Sequence, residues 1–351
     1  MKLATLRDDQ RNRQRDGRLV VVSADARRCI DASSVAPTLL DALERWSVVE
    51  PALHDLARTV NAPAAPGTMP FDARQCLAPL PRTWQWLDGS AFLNHGHLME
   101  RAFKVPPVAD FDTIPLMYQG AADDFLGPHD DVALPSEADQ IDFEGEFGVV
   151  LSETPLGVTA EEALQHVRLI VLINDWSLRA FGPREAKSGF GFVQAKPSTA
   201  FAPIAVTPDE LGAAWTGGRV HLRLQTQRNG EWFGHPHGGA MHFDFGQLIA
   251  HAARTRRLSA GTLIGSGTVS NADVAVGSSC IAERRMVEAL ANGAPHTPFL
   301  RFGERVRMVA LDGQGQPAPF GVIDQMVVPG GAAGSERMSM ENAIDLIAIG
   351  A

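Results

Sequence analysis

Along most of the chain, apolar residues fall into short runs closed by turn residues, and only a few stretches carry a helical period. Arg18-Leu-Val-Val-Val-Ser23 reads as a strand following a turn at Gly17. Between Ser33 and Val60, Leu39, Leu40, Leu43 and Trp46 recur at helical spacing, and Leu53, Leu56 and Val60 follow Pro51, which predicts helix. Asn61-Ala-Pro-Ala-Ala-Pro-Gly-Thr-Met-Pro70 reads as a connector, dividing a small N-terminal domain (residues 1–75) from a main domain (residues 76–328). In the main domain, runs such as Val149-Val150-Leu151, Val220 to Thr226 and Val306 to Ala310 predict strands, with turns at Asn229-Gly230 and Asp312-Gly313. Helix is predicted twice there, over Ala160 to Val167 and Phe245 to Thr255. Residues 329–351, rich in Gly and Ala after Pro329, read as a tail outside the core. The pattern is that of a β-rich α+β protein, not of alternating βαβ units.

One apolar run carries an unusual load. Asp142-Phe-Glu-Gly-Glu-Phe-Gly-Val-Val150 holds Glu144 and Glu146 one residue apart, and Leu169-Ile-Val-Leu-Ile-Asn-Asp-Trp176 ends on Asp175. On a continuous strand, residues i and i+2 share a face, so Glu144 and Glu146 are expected side by side. Two adjacent anions on a buried strand repel and are costly to desolvate unless a cation neutralises them. A hard divalent ion with oxygen ligands, Mg²⁺ or Ca²⁺, is the simplest neutraliser.

Composition narrows the partners. The formal charge of -10 and the absence of a Lys/Arg run argue against a nucleic-acid partner. Cys29, Cys76 and Cys280 are scattered, with neither metal spacing nor a disulfide framework, which makes a reducing cytoplasm the expected compartment. No apolar stretch approaches the roughly 20 residues that span a bilayer, and residues 1–9 resemble neither signal peptide nor membrane anchor. Gly265-Ser-Gly-Thr268 lacks the features of a phosphate loop, and no Gly-x-Ser-x-Gly elbow is present.

Read in order, several motifs resemble the fumarylacetoacetate hydrolase family over about residues 80 to 328. Asp88-Gly-Ser-Ala-Phe-Leu-Asn-His95 resembles the segment supplying a metal-binding aspartate and a catalytic histidine, with His97 a nearby competitor for the latter role. Tyr118 in Pro115-Leu-Met-Tyr-Gln-Gly120 resembles a substrate contact. Asp142-Phe-Glu-Gly-Glu146 resembles the paired glutamate ligands, and Asn174-Asp-Trp-Ser-Leu-Arg179 the segment holding the last ligand and an arginine. Lys196 resembles the catalytic lysine, Gly267 and Thr268 a substrate-binding loop, and Glu283 the glutamate that supports the histidine.

The resemblance implies a mixed β-sandwich or barrel-like catalytic domain, a homodimer, and a metal site of Asp88, Glu144, Glu146 and Asp175 around Mg²⁺ or Ca²⁺. It also implies His95, Lys196, Glu283 and Arg179 as catalytic groups. In such a site the ion chelates a 1,3-diketone, His95 oriented by Glu283 activates water, and Lys196 and Arg179 stabilise developing negative charge. The expected reaction is hydrolysis of a carbon–carbon bond in a small β-diketo acid. Fumarylacetoacetate is the first expectation, giving fumarate and acetoacetate in tyrosine and phenylalanine catabolism. Acylpyruvate hydrolases and 2-keto acid hydratases or decarboxylases of the same family are the alternative. Two departures weaken the substrate more than the metal centre: Gly182 stands where a substrate-contacting glutamine is usual, and Pro197 follows the lysine.

A reading from another class rests on His235-Pro-His237 with His242, a pattern that on strands can hold iron or zinc in a cupin-type dioxygenase. A relative that binds metal without turnover is the remaining alternative, against which the intact His95 and Lys196 argue.

Overall fold

A computed structural model describes residues 1–7, 15–63, 66–103 and 108–330. The expected tail from residue 331 onward lies outside the described residues, but Pro329 itself closes a long strand, Pro317–Pro329.

The architecture follows from two strands that are apolar on both faces. In Gly145–Leu151, Phe147, Val149 and Leu151 point into one core and Val150 into a second; in Val167–Asn174, Ile170 and Leu172 face the first, and Leu169, Val171 and Ile173 the second. A strand covered on both sides reads as a continuous apolar run because no position faces water. These two strands pair antiparallel at the centre of an eleven-stranded sheet. From one edge the order is Thr68–Pro70, Arg28–Asp31, Arg18–Val22, Lys2–Leu6, Ala205–Val206, Val167–Asn174, Gly145–Leu151, Leu263–Gly265, Trp86–Gly89 and Met117–Gly120, with Ala200–Phe201 also on Val167–Asn174. Pairing is antiparallel except between Leu263–Gly265 and Trp86–Gly89.

On one face lies a five-stranded sheet, which brings Leu224, Val306, Met308, Phe320 and Ile323 into the first core. On the other, the helices Leu39–Glu44 and Trp46–Asn61 close the second core through Leu39, Leu43, Trp46 and Leu53. The result is a sandwich of two sheets with helices outside. The hairpin at Asn229-Gly230 forms as expected, both residues holding the left-handed φ that this turn requires.

Three differences from the sequence reading have physical causes. Thr68–Pro70, expected in a connector, pairs with Arg28–Asp31, so the connector ends as an edge strand. The 160–167 helix stops at His166, because Val167 begins the central strand. Two unexpected helices, Leu93–Phe103 and Ile281–Asn292, pack on each other through Leu98, Met99, Cys280 and Ala282. Each gives the main core a residue at its start, Leu93 and Ile281, and the rest of its narrow apolar stripe meets the other helix, so the periodic signal is weak. Among the described residues no helix is long and apolar enough to cross a membrane.

Candidate metal centre and cleft

The ends of the central strands converge on one point. Asp88 lies in Trp86–Gly89, Glu146 opens Gly145–Leu151 opposite Ile173, and Asp175 directly follows Val167–Asn174. Glu144 arrives differently from the expectation. The segment from Asp142 does not run as one strand: Ile141–Asp142 pairs with Ser177–Leu178, and Phe143 and Glu144 link it to the large sheet. The cause is Asp142, whose buried carboxylate accepts from the backbone N–H groups of Ile281 (2.7 Å) and Ala282 (2.9 Å) at a helix N-terminus and from Arg179 Nε (2.8 Å). These bonds hold the chain out of the sheet just before Glu144.

One carboxylate oxygen from each of Asp88, Glu144, Glu146 and Asp175 lies within 4.8 Å of the others, and all four residues are buried. Glycine makes room for them. A Cβ on Gly265 would stand 2.3 Å from Asp88 Oδ1, and Gly267, at φ +74°, donates its N–H to that oxygen at 3.1 Å.

Two cations face the four anions. Lys196 Nζ donates to Glu144 Oε2 and to Asp175 Oδ2 (2.6 Å), while Arg179 Nη2 donates to Glu144 Oε1 (2.7 Å). Asp175 also accepts from Tyr118 (2.6 Å) and Thr199 (2.7 Å). Glu146 is left over: neither of its buried oxygens has a hydrogen-bond partner among the described residues.

The acidities follow from this arrangement. Burial and then Asp88 and Asp175 push Glu146 far above the usual carboxylate range, and burial with Asp175 pushes Asp88 up to about 8. Burial acts the same way on Glu144, but Arg179 and Lys196 outweigh it and hold this carboxyl well down. Lys196 stays charged, since Asp175 and Glu144 outweigh the burial that would discharge it. Burial and Asp175 likewise raise the Tyr118 hydroxyl, keeping it a donor. Lys196 and Arg179 are shared among Glu144, Asp175 and Asp142, which leaves Asp88 and Glu146 without a bonded cation among the described residues and fits the charge of one divalent ion. Unpaired hard oxygens fit Mg²⁺, Ca²⁺ or Mn²⁺.

Above the carboxylates opens a cleft of about 440 Å³ lined by Asp88, Glu144, His95, Tyr118, Arg179, Lys196, Gly267 and Thr268. The helix Leu93–Phe103 turns His95 into it. Its Nδ1 lies 3.1 Å from Glu283 Oε2, and its Nε2 is 3.9 Å from Glu144 Oε1. His97, the competitor, is largely exposed and stacks edge-on against Phe111. Thr268 Oγ1 is buried without a hydrogen-bond partner among the described residues. Gly182 begins the helix Gly182–Ser188 at the rim, where Phe192 packs edge-on against Tyr118 at 5.3 Å.

Residues the sequence reading passed over complete the site. Asp142 was visible only as one more acid in the same motif. Asn174, whose Oδ1 accepts from the Glu144 N–H, stood in the quoted motif without a role, and Thr199 gave no signal at all. Glu185 is more telling: its carboxylate accepts from the N–H groups of Val193 (3.1 Å), Gln194 (2.9 Å) and Ala195 (3.0 Å), the three residues leading into Lys196.

The histidine pattern of the cupin reading does not assemble. His235 accepts from Trp232, His237 from the Gly239 N–H, and His242 contacts the Asp112 carbonyl; among the described residues the three form no common ligand set. The loop Phe233 to Gly239 spreads them apart, and that expectation is withdrawn.

Fold and site thus define a two-sheet α+β protein with a buried carboxylate cluster under a cleft, fitted to a hard divalent ion. The chain belongs to the fumarylacetoacetate hydrolase family: residues 85–327 match the family's Fumarylacetoacetate (FAA) hydrolase C-terminal model, and residues 1–82 match Fumarylacetoacetase N-terminal domain 2. A 2,4-didehydro-3-deoxy-L-rhamnonate hydrolase of Sphingomonas sp. (strain SKA58) is 31% identical over 175 residues, covering 49% of this chain and only 56% of that relative. The mitochondrial oxaloacetate tautomerase FAHD2B of Homo sapiens is 25% identical over 68% of this chain and 72% of its own length. In fold, the chain is similar to a putative HpcE protein from Mycobacterium smegmatis (TM-score 0.67, 21% identity, 94% of this chain and 100% of that one). It is also similar to a maleylpyruvate hydrolase from Sphingobium sp. SYK-6 solved with manganese (II) ion and pyruvate (TM-score 0.62, 18% identity, 94% and 100%).

Proposed function

We propose that this protein is a divalent-metal-dependent hydrolase that cleaves a carbon–carbon bond in a small β-diketo acid. The observation carrying this reading is Glu146, a buried carboxylate amid three others, with no hydrogen-bond partner for either of its own oxygens among the described residues. Asp88, Glu144, Glu146 and Asp175 are the residues that would hold the ion. When bound, a hard divalent ion supplies Lewis acidity that polarises the substrate's keto and enol oxygens.

The chain's own groups do the rest. His95, with Nδ1 held by Glu283, presents Nε2 to the cleft and takes a proton from water there, as the Glu283 carboxylate stabilises the resulting imidazolium. The hydroxyl adds to the carbonyl carbon, the adjacent carbon–carbon bond breaks, and the proton held by His95 is returned to the carbanion carbon. One acid and one ketone or keto acid result. Lys196 remains charged and acts as a fixed cation, not as a base. Arg179 engages Asp142 and Glu144, so its part is to hold the Glu144 carboxylate in place. Thr268 offers its hydroxyl to the substrate's carboxylate, and Tyr118 and Gly267, whose donors are held by Asp175 and Asp88, shape the cleft around it.

Between the two substrate types, we favour an acylpyruvate-like 2,4-diketo acid over fumarylacetoacetate. Gly182 replaces the usual glutamine, and relatives by sequence or fold carry names such as maleylpyruvate hydrolase. Were fumarylacetoacetate the substrate, the protein would serve aromatic amino-acid breakdown. Homodimeric assembly in the cytoplasm belongs to the same reading. The test is to assay metal-free protein and protein loaded with Mg²⁺ or Mn²⁺ against both compounds, following loss of enol absorbance and identifying products. Metal-dependent cleavage of the acylpyruvate is expected. Enol–keto interconversion without cleavage would reassign the protein as a tautomerase, and equal rates without metal would overturn the mechanism.

A further inference from the structure

A second donor set of a different chemistry lies beside the His95–Glu283 pair. Cys280 is the N-cap of the helix Ile281–Asn292, and Glu283 stands three residues on, in the first turn. That Cys-x-x-Glu spacing brings thiol and carboxylate to one end of one helix, where the Glu283 N–H donates to Cys280 Sγ at 3.3 Å. The facing helix, Leu93–Phe103, adds His95, whose Nδ1 is 3.1 Å from Glu283 Oε2. One donor atom from each of His95, Cys280 and Glu283 lies within 4.8 Å of the other two. The set is held by two helices locked through Leu98, Met99 and Ala282, not by a loop.

Two further observations bear on a ligand. Glu283 also lines a second groove, of about 370 Å³, together with Asn94, Asn271 and Ser278, while His95 lines the substrate cleft and Cys280 is buried, so the set lies between the two openings. Burial and then the Asp142 carboxylate push the Cys280 thiol up against the opposing Arg179, so its sulfur keeps its proton until an ion displaces it. Sulfur, imidazole nitrogen and one carboxylate oxygen are the donors of a tetrahedral Zn²⁺ site with one position left for water. Thiolate selects against Mg²⁺ and Ca²⁺.

We propose that His95, Cys280 and Glu283 form a second metal site, selective for a borderline-soft divalent ion such as Zn²⁺ and separate from the four-carboxylate cluster. Binding breaks the Cys280 S–H bond and forms a metal–sulfur bond, the proton passing to solvent with no change in oxidation state. The proton on His95 Nδ1 moves to Nε2, so the Nδ1 lone pair is taken up by the ion and the hydrogen bond to Glu283 is replaced. If His95 is the base, as proposed above, occupancy inhibits turnover; the binding itself does not depend on that reading.

The whole protein, saturated with Mg²⁺ so that the hard site is filled, is titrated with Co²⁺ as a spectroscopic substitute for Zn²⁺. The expected result is a near-ultraviolet sulfur-to-cobalt charge-transfer band that saturates at one equivalent and is displaced by Zn²⁺. The band is absent in Cys280→Ser and its half-saturation rises at least about tenfold in His95→Ala. Serine preserves an N-capping side chain, so Cys280→Ser is expected to keep its thermal midpoint and its Mg²⁺ binding, both measured alongside. No band, or a band that persists in Cys280→Ser and therefore comes from Cys29 or Cys76, overturns the site. A band lost in Cys280→Ser with turnover untouched by Zn²⁺ establishes the site and removes His95 as the base.

Discussion

Glu146 is the residue on which the centre turns. Its two oxygens are buried with no hydrogen-bond partner among the described residues, so the metal-free protein bears a costly buried charge there or keeps the carboxyl protonated. Glu146→Gln removes that charge at nearly constant volume. It is expected to raise the thermal midpoint of the metal-free protein by several degrees, corresponding to about 1–3 kcal/mol, while weakening Mg²⁺ binding at least about a hundredfold. Calorimetry of metal-free and loaded samples checks both, and a variant that binds Mg²⁺ as tightly as the parent removes Glu146 from the site.

Asp88 supplies a pH signature. Its folded-state pKa, raised to about 8 by burial and by Asp175, lies above the ordinary aspartate value. The neutral form is therefore favoured by folding: this contribution is complete at acid pH and is lost as pH rises toward and through 8. Without metal, stability is expected to fall from about pH 5 to pH 8, by about 1.4 kcal/mol per unit where the slope is full, and Asp88's share levels off above 8. Saturating Mg²⁺ should abolish the slope, because the ion replaces the proton. Thermal melts with EDTA and with Mg²⁺ across that range decide it; parallel curves would speak against a cation at these oxygens. At the same scale, His95→Ala should retain metal and lose turnover by at least about 10²-fold, whereas His97→Ala, on the exposed side of the same helix, should do neither.

At the scale of elements, the end of the loop that leads into Lys196 is anchored by the Glu185 side chain. Glu185 gathers three consecutive N–H groups immediately before Lys196, while Phe190 and Val193 stay exposed. Glu185 is thus a positioning residue for the lysine. Glu185→Ala should speed amide exchange of residues 193–195 and lower kcat about tenfold or more, with metal affinity nearly unchanged. Glu185→Gln, which keeps one carbonyl acceptor, should recover part of the rate. Unaltered exchange in Glu185→Ala would show that packing alone sets the loop. The strand Leu263–Gly265 carries a comparable constraint: Gly265 has Asp88 Oδ1 and the Trp86 ring where a side chain would go, so Gly265→Ala should cost both stability and metal affinity.

For the whole molecule, the N-terminal segment is sheet before it is a domain. Lys2–Leu6 pairs with Ala205–Val206, and Leu3, Leu19 and Val21 share a core with Leu169, Val171 and Ile173. A fragment of residues 83–330 would expose that face of the central strands. It is expected to lose cooperative unfolding and to aggregate, as light scattering and a melt would report. Independent folding of this fragment would establish the division near residue 75 as one between autonomous domains.

Much of this was legible along the chain, and for identifiable reasons. Acidic residues closing apolar runs, Glu144, Glu146 and Asp175, are conspicuous because desolvation makes such placement costly without a purpose, and the doubly covered strands announced themselves as unbroken apolar runs. What remained hidden depends on contacts between residues far apart in sequence. The turn of the chain at Phe143 and Glu144 is set by helix N–H groups some 140 positions away, the choice of His95 over His97 by Glu283 on a facing helix, and the clamp on Lys196 by backbone groups that no side-chain motif records. Local pattern reports what a residue requires of its surroundings; which distant group meets that requirement is settled when the sheets and helices pack.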